Sequence, residues 1–285
     1  MKQVILLASI LTILIFLFLM KSSSEYRCER FFRDTRKDRL TIVGQVHIVT
    51  FGDGAFLEQA KEFAQTLSKK FANYKVHRYD MSMIDDEFKE KNKDILSNHR
   101  GCGYWLWKPY ICKQVYDSMN DGDILWYIDG GLILKDNIDF ENIVKWCSQC
   151  SSGGLACEQN TPQGKFCKKD VFLQLNMDYE KYAPLMQYAS GFFMLQRRET
   201  NHSFLQEWLD TACIPGMLDD SPAKYTEDSQ WSPVKHRHDQ AIFSLLAHKY
   251  EFDVIPAANE GEWPFYRKRP SGYIWQKFWI GLFGS

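Results

Sequence analysis

Between Asp123 and Asp129 the chain runs through five consecutive apolar residues, Ile124-Leu125-Trp126-Tyr127-Ile128, with a carboxylate at each end and Gly130-Gly131 behind the second. A strand that offers apolar side chains to both faces must be covered on both, which predicts a central strand of a sheet flanked by helices. The neighbouring sequence has the matching periodicities. Residues 43–51 alternate and then turn apolar, as a strand closed by Gly52-Asp53-Gly54, and Phe56, Ala60, Phe63, Ala64, Leu67 and Phe71 give residues 55–71 helical spacing. Further strands are predicted at 75–79, near Leu155, at 191–196 and at 252–255. Helices are predicted at 85–99, 104–119, 142–147, 199–212 and 238–249, with Pro109 tolerated only near its helix's first turn. Strands alternating with helices, without repeats, are an α/β pattern. Ligands of such sheets gather beyond the carboxyl ends of the strands, which puts Thr50, Phe51 and Asp129 at the expected site.

Two aspartate motifs compete for chemistry. Asp121-Gly122-Asp123 has the spacing that lets two carboxylates share a divalent cation, but it precedes its strand, where Asn-Asp-Gly-Asp is ordinary turn chemistry. Asp129 instead ends the strand, and Gly130 and Gly131 let a ligand approach the backbone beside it. The cluster His236-Arg237-His238-Asp239-Gln240 opens a helix, where Asp239 serves as an N-cap or as part of a site joining imidazoles, a guanidinium and a carboxylate. In Arg100-Gly-Cys-Gly-Tyr-Trp-Leu-Trp-Lys-Pro-Tyr110, aromatic rings are either core or the wall of a sugar or base, and Arg100 and Lys108 either face solvent or neutralise phosphate.

The N-terminal residues 4–20 are apolar apart from Ser9 and Thr12 and lie between Lys2 and Lys21. As a helix they reach about 26 Å, enough for a thin bilayer. They are expected to be an uncleaved signal anchor, the alternative being a signal peptide cleaved near Ser22 and Ser24. Residues 1–3 are then a short tail, 21–40 a stem, and 41–285 the folded domain. The basic residues after the span, taken alone, would keep that domain in the cytoplasm. The 8 cysteines and the sequon Asn201-His202-Ser203 point instead to an oxidising lumen, with disulfides and a glycan on Asn201. Cys147-x-x-Cys150 with Cys157 and Cys167 lacks the paired spacing of a zinc knuckle. The formal net charge of -1 disfavours a nucleic-acid-coating protein.

Taken in order, the Arg100 to Tyr110 segment, Asp121-Gly-Asp-Ile-Leu-Trp-Tyr-Ile-Asp-Gly-Gly131, Ser190-Gly-Phe-Phe-Met194 with the Phe-Leu-x-Glu-Trp208 helix, and His236-Arg-His-Asp-Gln-Ala-Ile-Phe-Ser-Leu-Leu246 resemble the landmarks of GT-A-fold glycosyltransferases. The resemblance implies a Rossmann-like mixed sheet and transfer of a sugar from a nucleoside diphosphate sugar to a glycan, glycoprotein or glycolipid. It places Asp129 at the position of the family's DXD motif, with Gly131 where the second carboxylate would stand, and implies a Mn2+ or Mg2+ ion held by Asp129 and completed by His236, His238 or Asp239. The donor would meet Thr50, Phe51, Arg100, Tyr104, Trp105 and Lys108, and also Asp129, Gly130, Gly131 and Gly191. Asp239, with His238 beside it, would deprotonate the acceptor hydroxyl in an inverting enzyme or face the oxocarbenium-like centre in a retaining one. Glu158, Lys169 and Asp170 are candidate acceptor residues. Many such enzymes are type II proteins of the Golgi or ER membrane with a lumenal catalytic domain, a plan that residues 1–39 fit. The alternatives are a GT-A-fold binding protein without turnover, suggested by Gly131, and a nucleotide-sugar hydrolase or nucleotidyltransferase.

Overall fold

A computed structural model describes residues 44–225, 235–256 and 263–267. The expected tail, anchor and stem, and Val43 at the start of the first strand, lie outside the described residues. Among the described residues no helix is long and apolar enough to cross a membrane.

Eight strands are described: β1 Val46–Phe51, β2 Lys75–Tyr79, β3 Ile124–Ile128, β4 Leu132–Leu134, β5 Gly154–Pro162, β6 Met186–Gln196, β7 Asp253–Ile255 and β8 Phe265–Arg267. The longer helices are α1 Leu57–Lys70, α2 Trp107–Asp117, α3 Phe140–Gln149, α4 Glu199–Ala212 and α5 His238–Lys249. Six strands form one sheet in the order β2-β1-β3-β6-β5-β7, and β4 pairs with β8 in a second, two-stranded sheet. β1 runs parallel to both β2 and β3, whereas β6 runs antiparallel to β3 and to β5. The sheet flanked by helices is the α/β architecture the alternation predicts, and its mixed strand directions are those the resemblance implied.

Alternation along β3 decides what packs where. Ile124, Trp126 and Ile128 enter one core with Leu67 of α1, Phe140, Ile143 and Val144 of α3, and Leu132, Leu134 and Phe265 of the small sheet. Leu125 and Tyr127 enter the opposite core, with Ile111, Val115 and Tyr116 of α2, Phe204 and Trp208 of α4, and Ile242, Phe243 and Leu246 of α5. Asp129, two residues beyond Tyr127, therefore starts on the face covered by α2 and α5. The antiparallel run of β6 brings Gly191 beside it, where the Gly191 carbonyl accepts the Asp129 amide at 2.9 Å.

Several expectations are corrected. The segment 85–99 is not one helix but two short ones, Asp86–Lys91 and Lys93–Leu96. Tyr104 and Trp105 do not belong to the helix that follows: Gly101, Cys102, Gly103, Tyr104 and Trp105 have φ of 58°, 52°, 90°, 51° and 64°, a left-handed turn before α2. The left-handed region costs a residue with a Cβ about 1–2 kcal/mol. Offsetting contacts include the Trp107 Nε1 hydrogen bond to the Gly101 carbonyl and the Gly103 amide bond to the Asn98 carbonyl. Pro109 falls in the first turn of α2, as its missing N–H requires.

The disulfide expectation fails for Cys102, Cys112, Cys147, Cys150, Cys167 and Cys213, which are free thiols. Cys112 and Cys167 fill one core, whereas Cys147, Cys150 and Cys157 fill the other, across the sheet, as small apolar residues. Asn201 does not offer a glycan site in the folded chain. It is 1% exposed, and its amide nitrogen, the atom a glycan would occupy, donates to the carbonyls of Ser152 and Gln196 at 3.0 Å each.

Candidate functional site

At the carboxyl end of β3 three charged side chains from distant parts of the chain meet. Lys108, in the first turn of α2, is 2% exposed, and its Nζ lies 2.7 Å from Asp239 Oδ2 on α5 and 3.3 Å from Asp129 Oδ1. Its aliphatic stem is inside the core and its ammonium sits over the Tyr127 ring, 5.1 Å from the centroid. Burial alone would lower the pKa of this lysine, but Asp129 and then Asp239 outweigh it and the pKa is raised, so the ammonium stays charged.

The carboxylates are held from other directions as well. The Tyr127 hydroxyl donates to Asp129 Oδ1 at 2.7 Å, and the Ser190 hydroxyl donates to Asp239 Oδ2 at 2.8 Å. Gly191 leaves room for Asp129: a Cβ there would stand 2.5 Å from Asp129 Oδ2. Asp129 is partly open to solvent while Asp239 is buried.

This cluster forms the floor of a cavity of about 520 Å³ whose lining also includes Arg100, Trp105, Gly131, Lys235, Arg237 and His238. A second hollow of about 350 Å³ adjoins it, sharing Trp105, Asp129 and Gly131 and adding Phe51, Phe56, His99 and Trp107. Phe51 and Trp107 stack at 3.6 Å between centroids, and the exposed Phe56 stands at the rim. The two hollows together make one elongated cleft, charged at one end and aromatic at the other, outside the ends of β1 and β3.

The structure gathers most of the predicted residues here. Arg100 Nη1 donates to Asp220 Oδ2 at 2.7 Å at the cavity wall. Tyr104 and Trp105, presented by the left-handed turn, both rest against the His238 ring at 5.1 and 5.3 Å. His238 donates from Nδ1 to the Leu218 carbonyl at 2.8 Å, and burial lowers its pKa, so the ring is neutral. A Cβ on Gly130 would meet the Phe51 carbonyl at 2.9 Å, so that glycine serves close packing of β1 and β3, whereas Gly131 faces open space.

Other predicted residues are placed elsewhere. Thr50 is fully buried and lines neither hollow. His236 has no nitrogen left for a metal ion, because Nδ1 accepts the Lys168 amide at 3.3 Å and Nε2 donates to the Met217 carbonyl at 2.9 Å. Asp123 caps its own turn, accepting the amides of Gln45 and Asn120, at the end of β3 opposite the cleft. Glu158, Lys169 and Asp170 line neither hollow, and Asp170 accepts the backbone amides of Lys224 and Tyr225.

Three contributors escaped the sequence reading. By the resemblance Ser190 was only one of the small residues of 188–191 beside the donor sugar, and Tyr127 had no role, although a hydroxyl two residues before a strand-end carboxylate shares its face and is a readable signal. Asp220 carried no signal. Its loop is held by Lys168, whose buried ammonium donates to the Gly216 carbonyl, Asp219 Oδ1 and Ser221 Oγ.

His236 makes the wall pH-sensitive. Burial, then the nearby charges of Lys168 and His238, hold its pKa near about 3 against the ordinary 6.5. Above pH 6.5 the imidazole is neutral folded or unfolded and costs nothing. As pH falls below that value only the unfolded chain takes the proton, so stability drops by up to about 1.4 kcal/mol per pH unit from this residue until the folded site also titrates. Urea melts from pH 7 downward should show a shallower slope for His236→Gln than for the wild type, and equal slopes would refute the assignment.

No protein-family model matches the sequence, and no curated protein sequence does. Solved structures do resemble the chain. Mouse xyloside xylosyltransferase 1, apo form, aligns at a TM-score of 0.39 and 13% identity, over 74% of this chain and 84% of that one. The galactosyltransferase LgtC, in complex with donor and acceptor sugar analogs, aligns at 0.37 and 11%, over 74% and 73%. Core-mannan synthase A from Aspergillus fumigatus, in a Mn/GDP form, aligns at 0.38 and 9%, over 75% and 72%. All three are sugar-transferring enzymes by name. At TM-scores this low the overlaps are partial, so the chemistry open to this site follows from its own side chains.

Proposed function

We propose that the chain is a glycosyltransferase that moves a sugar from a nucleoside diphosphate sugar to a glycan or glycoconjugate hydroxyl. The observation that carries this reading is the buried Lys108 ammonium fixed between Asp129 and Asp239 at the floor of a cleft that is charged at one end and aromatic at the other. The aromatic hollow suits the base, and the charged one suits the diphosphate and its sugar. As the bond between the anomeric carbon and the leaving phosphate oxygen breaks, its electron pair stays on that oxygen. Lys108 and Arg100 offset the charge there, and fixed charge aimed at a developing anion is where most catalytic gain lies. The acceptor oxygen bonds to the anomeric carbon and its proton passes to Asp239 Oδ1, to which no described donor bonds. On the same reading residues 4–20 anchor the chain in a Golgi or ER membrane with residues 41–285 in the lumen.

The test is release of nucleoside diphosphate by the full chain across a panel of donors and acceptors. Asp239→Asn should retain the fold, judged by its melting curve, and lose about 100-fold or more of the transfer rate. Free sugar as the product would identify a hydrolase, and a new pyrophosphate bond a nucleotidyltransferase. Donor that binds and stays intact with every acceptor would identify a binding protein.

A further inference from the structure

The geometry points to a donor site whose permanent cation is the Lys108 ammonium, so that this chain binds and turns over its nucleoside diphosphate sugar without a divalent ion; the inference rests on the transfer reading above. A Mn2+ or Mg2+ site needs a carboxylate with unclaimed lone pairs and further oxygen or imidazole ligands converging on the same point. Asp129 Oδ2, Asp239 Oδ1 and His238 Nε2 have no hydrogen-bond partner among the described residues, but these groups do not converge with a further ligand on one point. Asp129 Oδ1 already accepts the Tyr127 hydroxyl at 2.7 Å and faces the Lys108 ammonium at 3.3 Å. Asp239 Oδ2 accepts from Lys108 at 2.7 Å and from Ser190 at 2.8 Å. Gly131, two residues beyond Asp129, brings no ligand, and both nitrogens of His236 are committed to backbone groups. Among the described residues no three His, Cys, Asp or Glu side chains are grouped to hold a metal ion.

The ammonium cannot step aside for an ion. It is enclosed by the Tyr127 ring, Trp107 and the two carboxylates, and a dication on Asp129 would share that carboxylate with a positive charge buried beside it. Lys108 thus takes the place that an ion bridging the two aspartates would fill.

The test uses the full chain stripped with EDTA, with UDP and GDP as probes and calorimetry as the readout, each titration run in EDTA and again in excess MnCl2. For whichever nucleotide binds, the two dissociation constants should differ by less than about threefold, and transfer from the matching nucleotide sugar should persist in EDTA. Tightening by about tenfold or more in Mn2+, or transfer that EDTA abolishes and Mn2+ restores, overturns the inference and leaves the transfer reading standing. Failure of UDP, GDP and every donor to bind under both conditions removes the transfer reading itself, and the inference with it. A second measurement needs no nucleotide. In Lys108→Met the aspartates lose their ammonium and become an anionic pair open to a cation, so Mn2+ should raise the melting temperature of that variant and not of the wild type. A comparable Mn2+-induced rise in the wild type overturns the inference.

Discussion

Lys108→Met should destabilise the fold by about 3–5 kcal/mol, the usual consequence of removing one partner from a buried ion pair. For a domain of this size that is a fall of roughly 10 °C in melting temperature. Methionine keeps most of the stem's volume, so the loss is one of charge: Asp239, 5% exposed, would be left with the Ser190 hydroxyl as the one donor to its Oδ2 among the described residues. The double variant Lys108→Met/Asp239→Asn separates charge from packing. If uncompensated charge dominates, the second substitution recovers much of the stability lost in the first. If the two losses simply add, the cluster is not energetically coupled and the ion-pair account of the site fails. The same substitution removes the cation placed at the leaving phosphate, and transfer should fall by about 100-fold.

Gly191→Ala should cost about 100-fold in transfer while leaving a folded protein. The added Cβ would stand 2.5 Å from Asp129 Oδ2 and 3.1 Å from its carboxyl carbon, closer than atoms pack, so the carboxylate must swing away from Tyr127 and Lys108. A shift of about 1 Å at a reacting centre is enough for a loss of that order. The stability cost is that of modest overpacking, about 1–3 kcal/mol. Gly131→Ala provides the steric contrast, since a Cβ there meets nothing within 4 Å, and its melting temperature should stay close to that of the wild type. A Gly191→Ala chain that transfers at the wild-type rate would show that the position of Asp129 does not matter to the reaction.

The periodic elements were readable because their signals are local. β2, α4 and α5 lie where apolar spacing puts them, and the apolar run of β3 already demanded a layer on each face. The strand-end carboxylate and the glycines behind it were readable for the same reason, whereas the joining of Arg100, Lys108, Asp129 and Asp239 in one site was only what the resemblance implied. The left-handed turn at residues 101–105 was not readable. Its cost at Tyr104 and Trp105 is offset in part by the packing of both rings on His238, more than a hundred residues further along the chain, which no window of sequence contains. The small sheet of β4 and β8 was missed because three-residue strands carry no periodicity and pair across more than a hundred residues.

By itself the sequence determined the α/β class, the central strand and the set of side chains able to do chemistry, since each depends on neighbours within a turn or two of the chain. Tertiary structure alone decided what those side chains are to one another. The strand order brought Gly191 to Asp129, and the packing of α2 and α5 on one sheet face fixed Lys108 as a buried bridge between two aspartates 110 residues apart. It closed the amide of Asn201 and the ring of His236 with hydrogen bonds to distant carbonyls. Those outcomes depend on which surfaces must be buried together, and that is a property of the whole sheet and of no segment of it.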